Sequence, residues 1–288
     1  MNISSENIKL QMASLRGQIF STLLDSTGNG KSGTADFAEL LGMKTAEVGA
    51  DPGANLGAAG RNLSLRDPES AYQMMSQINR FEVSFKAQFS ELTQMGREVE
   101  DLETLGGRLA EIDTTSSNTE IADRLQAFVD RYNAWEDRFD DTVAAGGVLR
   151  NVQAAEVSLY ELEQSIKNIF NGAADGIRGL ADLGIEIDPV TRQATFDVAR
   201  LESVLATNRN GVVNAIDQFS ANFAKSADLL NAEGNFIQNA LGNRSRAVDY
   251  INGNRSNLQA EFGTGDAYQP SGATAKAVAA YNAAFGIA

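Results

Sequence analysis

Apolar residues recur at helical spacing along most of this chain. From Ile78 one heptad register carries Ile78, Phe81, Phe85, Leu92, Met95, Val99, Leu102 and Leu109, broken only by Gln88 and Gly106. Such a seam predicts a long helix with a partner. A second run places Ile121, Leu125, Phe128, Tyr132, Trp135 and Phe139 at four-three spacing, and a third does the same with Val152, Ala155, Leu159, Leu162, Ile166 and Ile169. These stripes are too narrow for burial all round and predict bundle packing. A fourth helix starts near Val212 with Ile216, Phe219, Phe223 and Leu230 on one face. A fifth carries Ile237, Leu241, Val248, Ile251, Leu258 and Phe262.

The fifth helix is imperfect. A GNRS sequence occurs twice, eleven residues apart, putting Arg244 and Arg255 on the seam and Gly242 and Gly253 inside the helix. Each glycine costs about 1 kcal/mol relative to alanine there, so a weak, kinked helix is expected. Between the third and fourth helices, Ile185 and Ile187 flank Glu186, a polar turn holds Pro189, and Thr195 and Phe196 resume an extended pattern. This predicts a small β-hairpin. Asp197 then stands at an N-cap position before Val198, Leu201 and Leu205. The expected fold class is mainly α, an elongated helical bundle or coiled coil with one hairpin.

The ends differ from the middle. Residues 1–68 combine an amphipathic helix, with Ile8, Met12, Leu15 and Ile19 in line, and a linker holding eight glycines between Gly28 and Gly60. Residues 69–263 form the bundle. Residues 264–288 are an Ala/Gly-rich tail in which Val278, Tyr281 and Phe285 keep helical spacing. Isolated helices below about 12 to 15 residues are marginal in water, so both terminal stripes need a partner. Ile8, Met12, Leu15, Ile19, Val278, Tyr281 and Phe285 are therefore the candidate self-assembly residues, expected to order on assembly. Phe85, Leu92, Phe128, Tyr132, Trp135, Leu159, Leu162, Phe219 and Phe223 are the expected bundle core.

Composition removes much chemistry. The 288 residues include no cysteine and no histidine, so disulfides, thiolate nucleophiles, the usual zinc sites and imidazole bases are absent. A net charge of −14 gives the wrong sign for phosphate backbones or anionic lipid, which argues against nucleic acid and membrane surfaces as partners. The N-terminus lacks the pattern of a secretory signal, and no apolar run is long enough to span a membrane.

Few motifs compete with this structural reading. Asp25, Thr27, Asn29, Gly30 and Asp36 imitate a calcium loop, but the twelfth position is aspartate where a bidentate glutamate belongs, and the eighth is serine. Gly30-Lys31-Ser32 lacks the earlier glycine of a phosphate-binding loop, because Asp25 occupies that place. Asp140 with Asp141, and Glu98 through Glu103, read as solvated helix faces. No metal, cofactor or catalytic site is expected.

The segment IADRLQAFVDRYNAWEDRF, then Val148-Leu149-Arg150, then LADLGIEIDPVTRQATFDVARLESVLATNRNGVVNAI resembles the C-terminal region of the flagellar filament cap, hook-associated protein 2 (FliD). The linked features are Phe128-Val129, Tyr132-Asn133, Leu183-Gly184-Ile185 before a hairpin, and a helix from Asp197 through Leu205. The upstream helix is similar to that family's N-terminal helical segment, so the resemblance covers residues 70–263. In the family a β-rich insertion separates the two helical parts, whereas here only Asp113 to Thr119 joins them. The resemblance implies a reduced relative: a non-enzymatic, self-assembling axial protein exported by the flagellar type III apparatus and located on the extracellular flagellum. Its implied partners are further copies of itself and flagellin or hook–filament junction proteins, with room for an export chaperone. The alternative is a secreted helical adhesin or a calcium-tuned surface-binding protein.

Overall fold

The structure is a computed structural model that describes residues 67–169 and 176–287. They form a mainly α fold with one two-stranded antiparallel sheet. Helix α1, Pro68–Gly107, begins with proline at its first position, where no intrahelical N–H is missed, and runs into a 3-10 turn, Arg108–Glu111. A short turn reverses the chain: the Asp113 carboxylate accepts from the backbone N–H of Thr115 at 2.7 Å and of Ser116 at 3.0 Å. Ser117 then caps helix α2, Asn118–Val143, by accepting from the Glu120 N–H at 3.1 Å.

Helix α2 runs back along α1. Arg138 pairs with Glu91 at 2.6 Å, Arg131 with Glu98 at 2.6 Å, and Arg124 with Glu111 at 2.9 Å, so residue numbers rise on one side as they fall on the other. The arginines are seven residues apart, which keeps them on one helical stripe. After a turn in which the Leu149 N–H donates to the Thr142 carbonyl at 2.8 Å, helix α3, Gln153–Lys167, follows. It stops before Ile169, expected on the seam but 62% exposed, because a side chain beyond the last turn no longer shares the buried face.

A second 3-10 turn, Leu180–Leu183, leads to strands β1, Ile185–Ile187, and β2, Ala194–Phe196, with Ile185 opposite Phe196. Gly184 makes the entry with φ +89, and a Cβ there would stand 2.5 Å from the Asp197 carbonyl oxygen. Asp197 caps helix α4, Val198–Asn231, through the Arg200 N–H at 3.1 Å. The two helices expected on either side of residue 208 are joined across a kink at Asn208, whose Oδ1 accepts from the Gly211 N–H at 3.0 Å and so restarts the second half. The weak fifth helix is divided into α5, Phe236–Gly253, and α6, Arg255–Phe262, with the break at Asn254 and Gly242 inside a continuous helix. Helix α7, Gly272–Phe285, ends the described chain.

Residues form two compact units. In the smaller one the described residues are 67–75 and 253–265, where Ala71, Met75, Leu258 and Phe262 are buried. The larger one holds residues 76–252 and 266–287 of the described chain. Within it α4 lies antiparallel on α1, since Ser220 Oγ donates to the Gly106 carbonyl at 2.8 Å and Asn231 Nδ2 to the Gly96 carbonyl at 3.3 Å. Helix α5 continues in the same direction, with Arg244 Nε donating to Gln88 Oε1 at 3.0 Å. Gly106, a gap in the apolar seam, is the close-approach point: a Cβ would meet the Phe223 ring at 2.5 Å.

The main core fills the space between α1, α2, α3, the hairpin and α4. Phe128 meets Phe219 and Phe223 edge-on, with centroids 5.2 and 4.9 Å apart, and Trp135 lies between Tyr132 and Phe139. Leu92, Phe128, Tyr132, Trp135, Leu159, Leu162, Phe219 and Phe223 are buried there. Phe85 departs from the expected list. It is half-buried and stacks on Phe81 at 6.0 Å, because the main core covers the seam from Leu92 onward and not this earlier part.

Candidate assembly surface

Three arrangements determine what the larger unit presents outside its core. The first docks the hairpin. Asn133 Nδ2 donates to the Ala194 carbonyl at 2.9 Å and its Oδ1 accepts from the Ala194 N–H at 2.7 Å, so one side-chain amide does for β2 what a neighbouring strand would do. Gln193 Nε2 donates to Asp137 at 2.6 Å and the Tyr132 hydroxyl to the Arg192 carbonyl at 3.3 Å. Arg192, itself in the left-handed region at φ +62, reaches back to three carboxylates: Glu136 at 3.1 Å, Glu163 at 3.3 Å and Asp140 at 3.7 Å.

Glu136 is only 2% exposed, and its contact with Arg192 is an ion pair without hydrogen-bond geometry. Burial, opposed by the guanidinium and assisted by neighbouring carboxylates, pushes its pKa up to about 7. Burial likewise raises the Tyr132 phenol. Arg244, 6% exposed, has its pKa lowered to about 10 by desolvation, and it also donates to the Ala240 carbonyl at 2.9 Å.

The second arrangement pins the α1–α2 turn. Arg209 donates to the carbonyls of Thr114, at 2.9 Å, and Ser116, and to Asn118 Oδ1 at 2.6 Å. A turn with no β domain therefore closes one end of the bundle.

The third arrangement is C-terminal. The Asp266 N–H donates to Ser76 Oγ at 2.7 Å, and Asn79 Nδ2 donates to the Asp266 carbonyl at 2.8 Å. Arg80 lies over the Tyr268 ring at 5.9 Å, and Lys86 over the Tyr281 ring at 5.9 Å. Phe89 then meets Tyr281 and Phe285 edge-on at 5.4 and 5.5 Å. The segment from Asp266 to Phe285 is thus a strap laid along α1 in the same direction. Its helix belongs to a small apolar cluster of Ala87, Val148 and Ala277, with Val278 against it, separate from the main core.

Of the expected assembly residues, Tyr281 is 4% exposed, Val278 is half-buried and Phe285 is 50% exposed. The tail was expected to lack a partner in the free chain; the structure supplies one, because α1 carries a second apolar face. Phe89 on that face escaped the sequence reading by standing one residue off the heptad position of Gln88. Ile8, Met12, Leu15 and Ile19, and the calcium-like residues Asp25 to Asp36, lie outside the described residues. Among the described residues no group of His, Cys, Asp or Glu is placed to hold a metal ion, and no helix is long and apolar enough to cross a membrane.

Further exposed apolar side chains are Tyr160 on α3, Val190 at the hairpin tip, and Leu229 and Phe236 on either side of the α4–α5 turn.

No curated protein matches the chain. Among solved structures it is similar to the crystal structure of the D1-D2-D3 domains of the flagellar cap protein FliD from Escherichia coli, at 18% identity and a TM-score of 0.40. That similarity covers 44% of this chain and 37% of the other. Residues 101–266 match the family model of the flagellar hook-associated protein 2 C-terminus, a shorter upstream reach than the expected start at residue 70. Because the match takes in more than half of the 288 residues, through α2, α3, the hairpin, α4, α5 and α6, the chain belongs to the flagellar hook-associated protein 2 family.

Proposed function

We propose that this chain is a structural, self-assembling component of the bacterial flagellar axis, cap-like or associated with the hook–filament region, and that it is not an enzyme. The observation that carries the reading is the family match laid over a helical bundle whose α1–α2 joint is a bare turn. In this reading the chain retains the helical leg of its family without the β-rich head, so its role is to pack lengthwise against neighbours. Copies of itself and flagellin or hook–filament junction proteins are the partners, an export chaperone acts before assembly, and the site of action is the flagellum outside the cell.

The candidate assembly residues are Val278, Tyr281 and Phe285 on α7 together with Ile8, Met12, Leu15 and Ile19. Support for the first group is the half-exposed Phe285 at the end of a helix that lies apart from the main core. No finding favours an adhesin or calcium-tuned role. Immuno-electron microscopy with an antibody to Phe196–Leu230 tests the proposal: label on the flagellar axis is expected, and label confined to the cell body would refute it.

A further inference from the structure

The strap has two properties that belong together. Its apolar cluster is separate from the main core, so lifting it exposes Ala87, Phe89 and Val148 without opening the bundle around Phe128 and Trp135. And once lifted, a 14-residue helix is marginal alone in water. It needs the same surface again, and every other copy of the chain carries that surface on its own α1.

We propose that the strap, Asp266–Phe285, is exchangeable between copies: closed on its own α1 in the free chain, it seats on α1 of a second copy during assembly. The proposal rests on the self-association reading above and adds how that association is held back. The backbone allows the exchange. Residues 263–271 contain no helix or strand, and Gly263, Gly265 and Gly272 take φ of +80, +60 and +57, conformations that glycine adopts at little cost. The contacts are complementary in kind, with aromatic edges on Phe89 and cations of α1 over tyrosine rings of the strap. A strap moved to a neighbour remakes all of them, so the exchange is nearly neutral in contact energy and is governed by concentration. Phe285 and Ile287, 50% and 42% exposed in the closed form, supply additional apolar area for a neighbour to cover.

The absence of cysteine in the sequence gives a clean test. Ser90→Cys, beside Phe89, and Ala284→Cys, beside Phe285, which leave the aromatic contacts of the strap in place, are combined in one chain and joined at high dilution by a short bis-maleimide, which locks the strap at home. Separately, the two single variants are mixed at assembling concentration and treated with the same reagent. The expected results are that the locked chain stays monomeric where the unlinked double variant assembles, and that the mixture yields a cross-linked heterodimer. Oligomers without any inter-chain cross-link, or a locked chain that assembles normally, overturn the exchange while leaving self-association intact. An unmodified chain that stays monomeric at every concentration overturns both. Where circular dichroism shows the double variant to be misfolded, Ser84→Cys with Lys276→Cys, at positions open to the reagent and outside the strap contacts described above, replaces it and is read by the same criteria.

Discussion

Trp135 and Glu136 are adjacent in sequence and both buried, yet they act in opposite senses. Trp135 fills the core between Tyr132 and Phe139, so Trp135→Ala is expected to destabilise the protein by about 3 to 5 kcal/mol in urea unfolding followed by circular dichroism. Its indole N–H has no hydrogen-bond partner among the described residues, so Trp135→Phe loses volume but no bond and costs clearly less. Glu136 is a buried carboxylate whose pKa rises from 4.5 in the unfolded chain to about 7 in the folded one. The folded state therefore binds the proton more tightly. Its contribution is complete below pH about 4.5 and is lost as pH rises through about 7, a change of order 3 kcal/mol at most. Glu136→Gln is expected to raise the melting temperature at pH 8 and to flatten the pH dependence of stability between pH 5 and 8. An unchanged pH profile would show that Arg192 holds Glu136 ionised throughout.

At the scale of elements, the glycines separate local from tertiary effects. Gly242 lies inside α5, where an added Cβ meets only the Arg246 guanidinium at an ordinary 3.5 Å. Gly242→Ala should stabilise by about 0.5 to 1 kcal/mol, as helix propensity alone dictates. Gly106 has the same propensity cost in α1, but its Cβ would stand 2.5 Å from the Phe223 ring. Gly106→Ala should instead destabilise by about 1 to 3 kcal/mol, because α1 and α4 must separate or Phe223 must leave its place beside Phe128. Thermal melts of the two variants should shift in opposite directions, and a gain at both sites would mean that the α1–α4 contact is loose. The hairpin is likewise an element that others hold. Two strands of three residues are marginal by themselves, and the amide of Asn133, the Arg192 cluster and the Asp197 cap attach them to α2, α3 and α4.

For the molecule as a whole, the consequence lies in which parts folding requires. Removing residues 266–288 takes away the satellite cluster and leaves the main core complete, so the truncated chain should unfold cooperatively with its midpoint close to that of the full chain. Removing residues 1–24 should likewise leave a folded, soluble monomer, one that no longer enters filaments or rings when followed by electron microscopy. Normal incorporation of that truncated chain would remove the N-terminal stripe from the assembly proposal.

Much of this was already written in the sequence, because periodicity and capping are local. The stripes of α2 and α3, the alternation at Ile185 and Ile187 and the cap at Asp197 each depend on residues within a few positions, so the elements and most of their buried faces could be read directly. What the sequence left open was which face meets which partner. Gly106 looked like a flaw in the seam until Phe223, from more than a hundred residues later, was packed on it. No local spacing marks Glu136 as buried; the hairpin, arriving from more than fifty residues later, brings Arg192 over it. The tail looked partnerless because Phe89 belongs to a second face of α1, off the heptad register, and only tertiary packing brings Tyr281 and Phe285 to it. Local spacing sets how an element is formed, whereas burial, charge environment and partner choice depend on contacts between residues distant in the chain, and these only the tertiary structure decides.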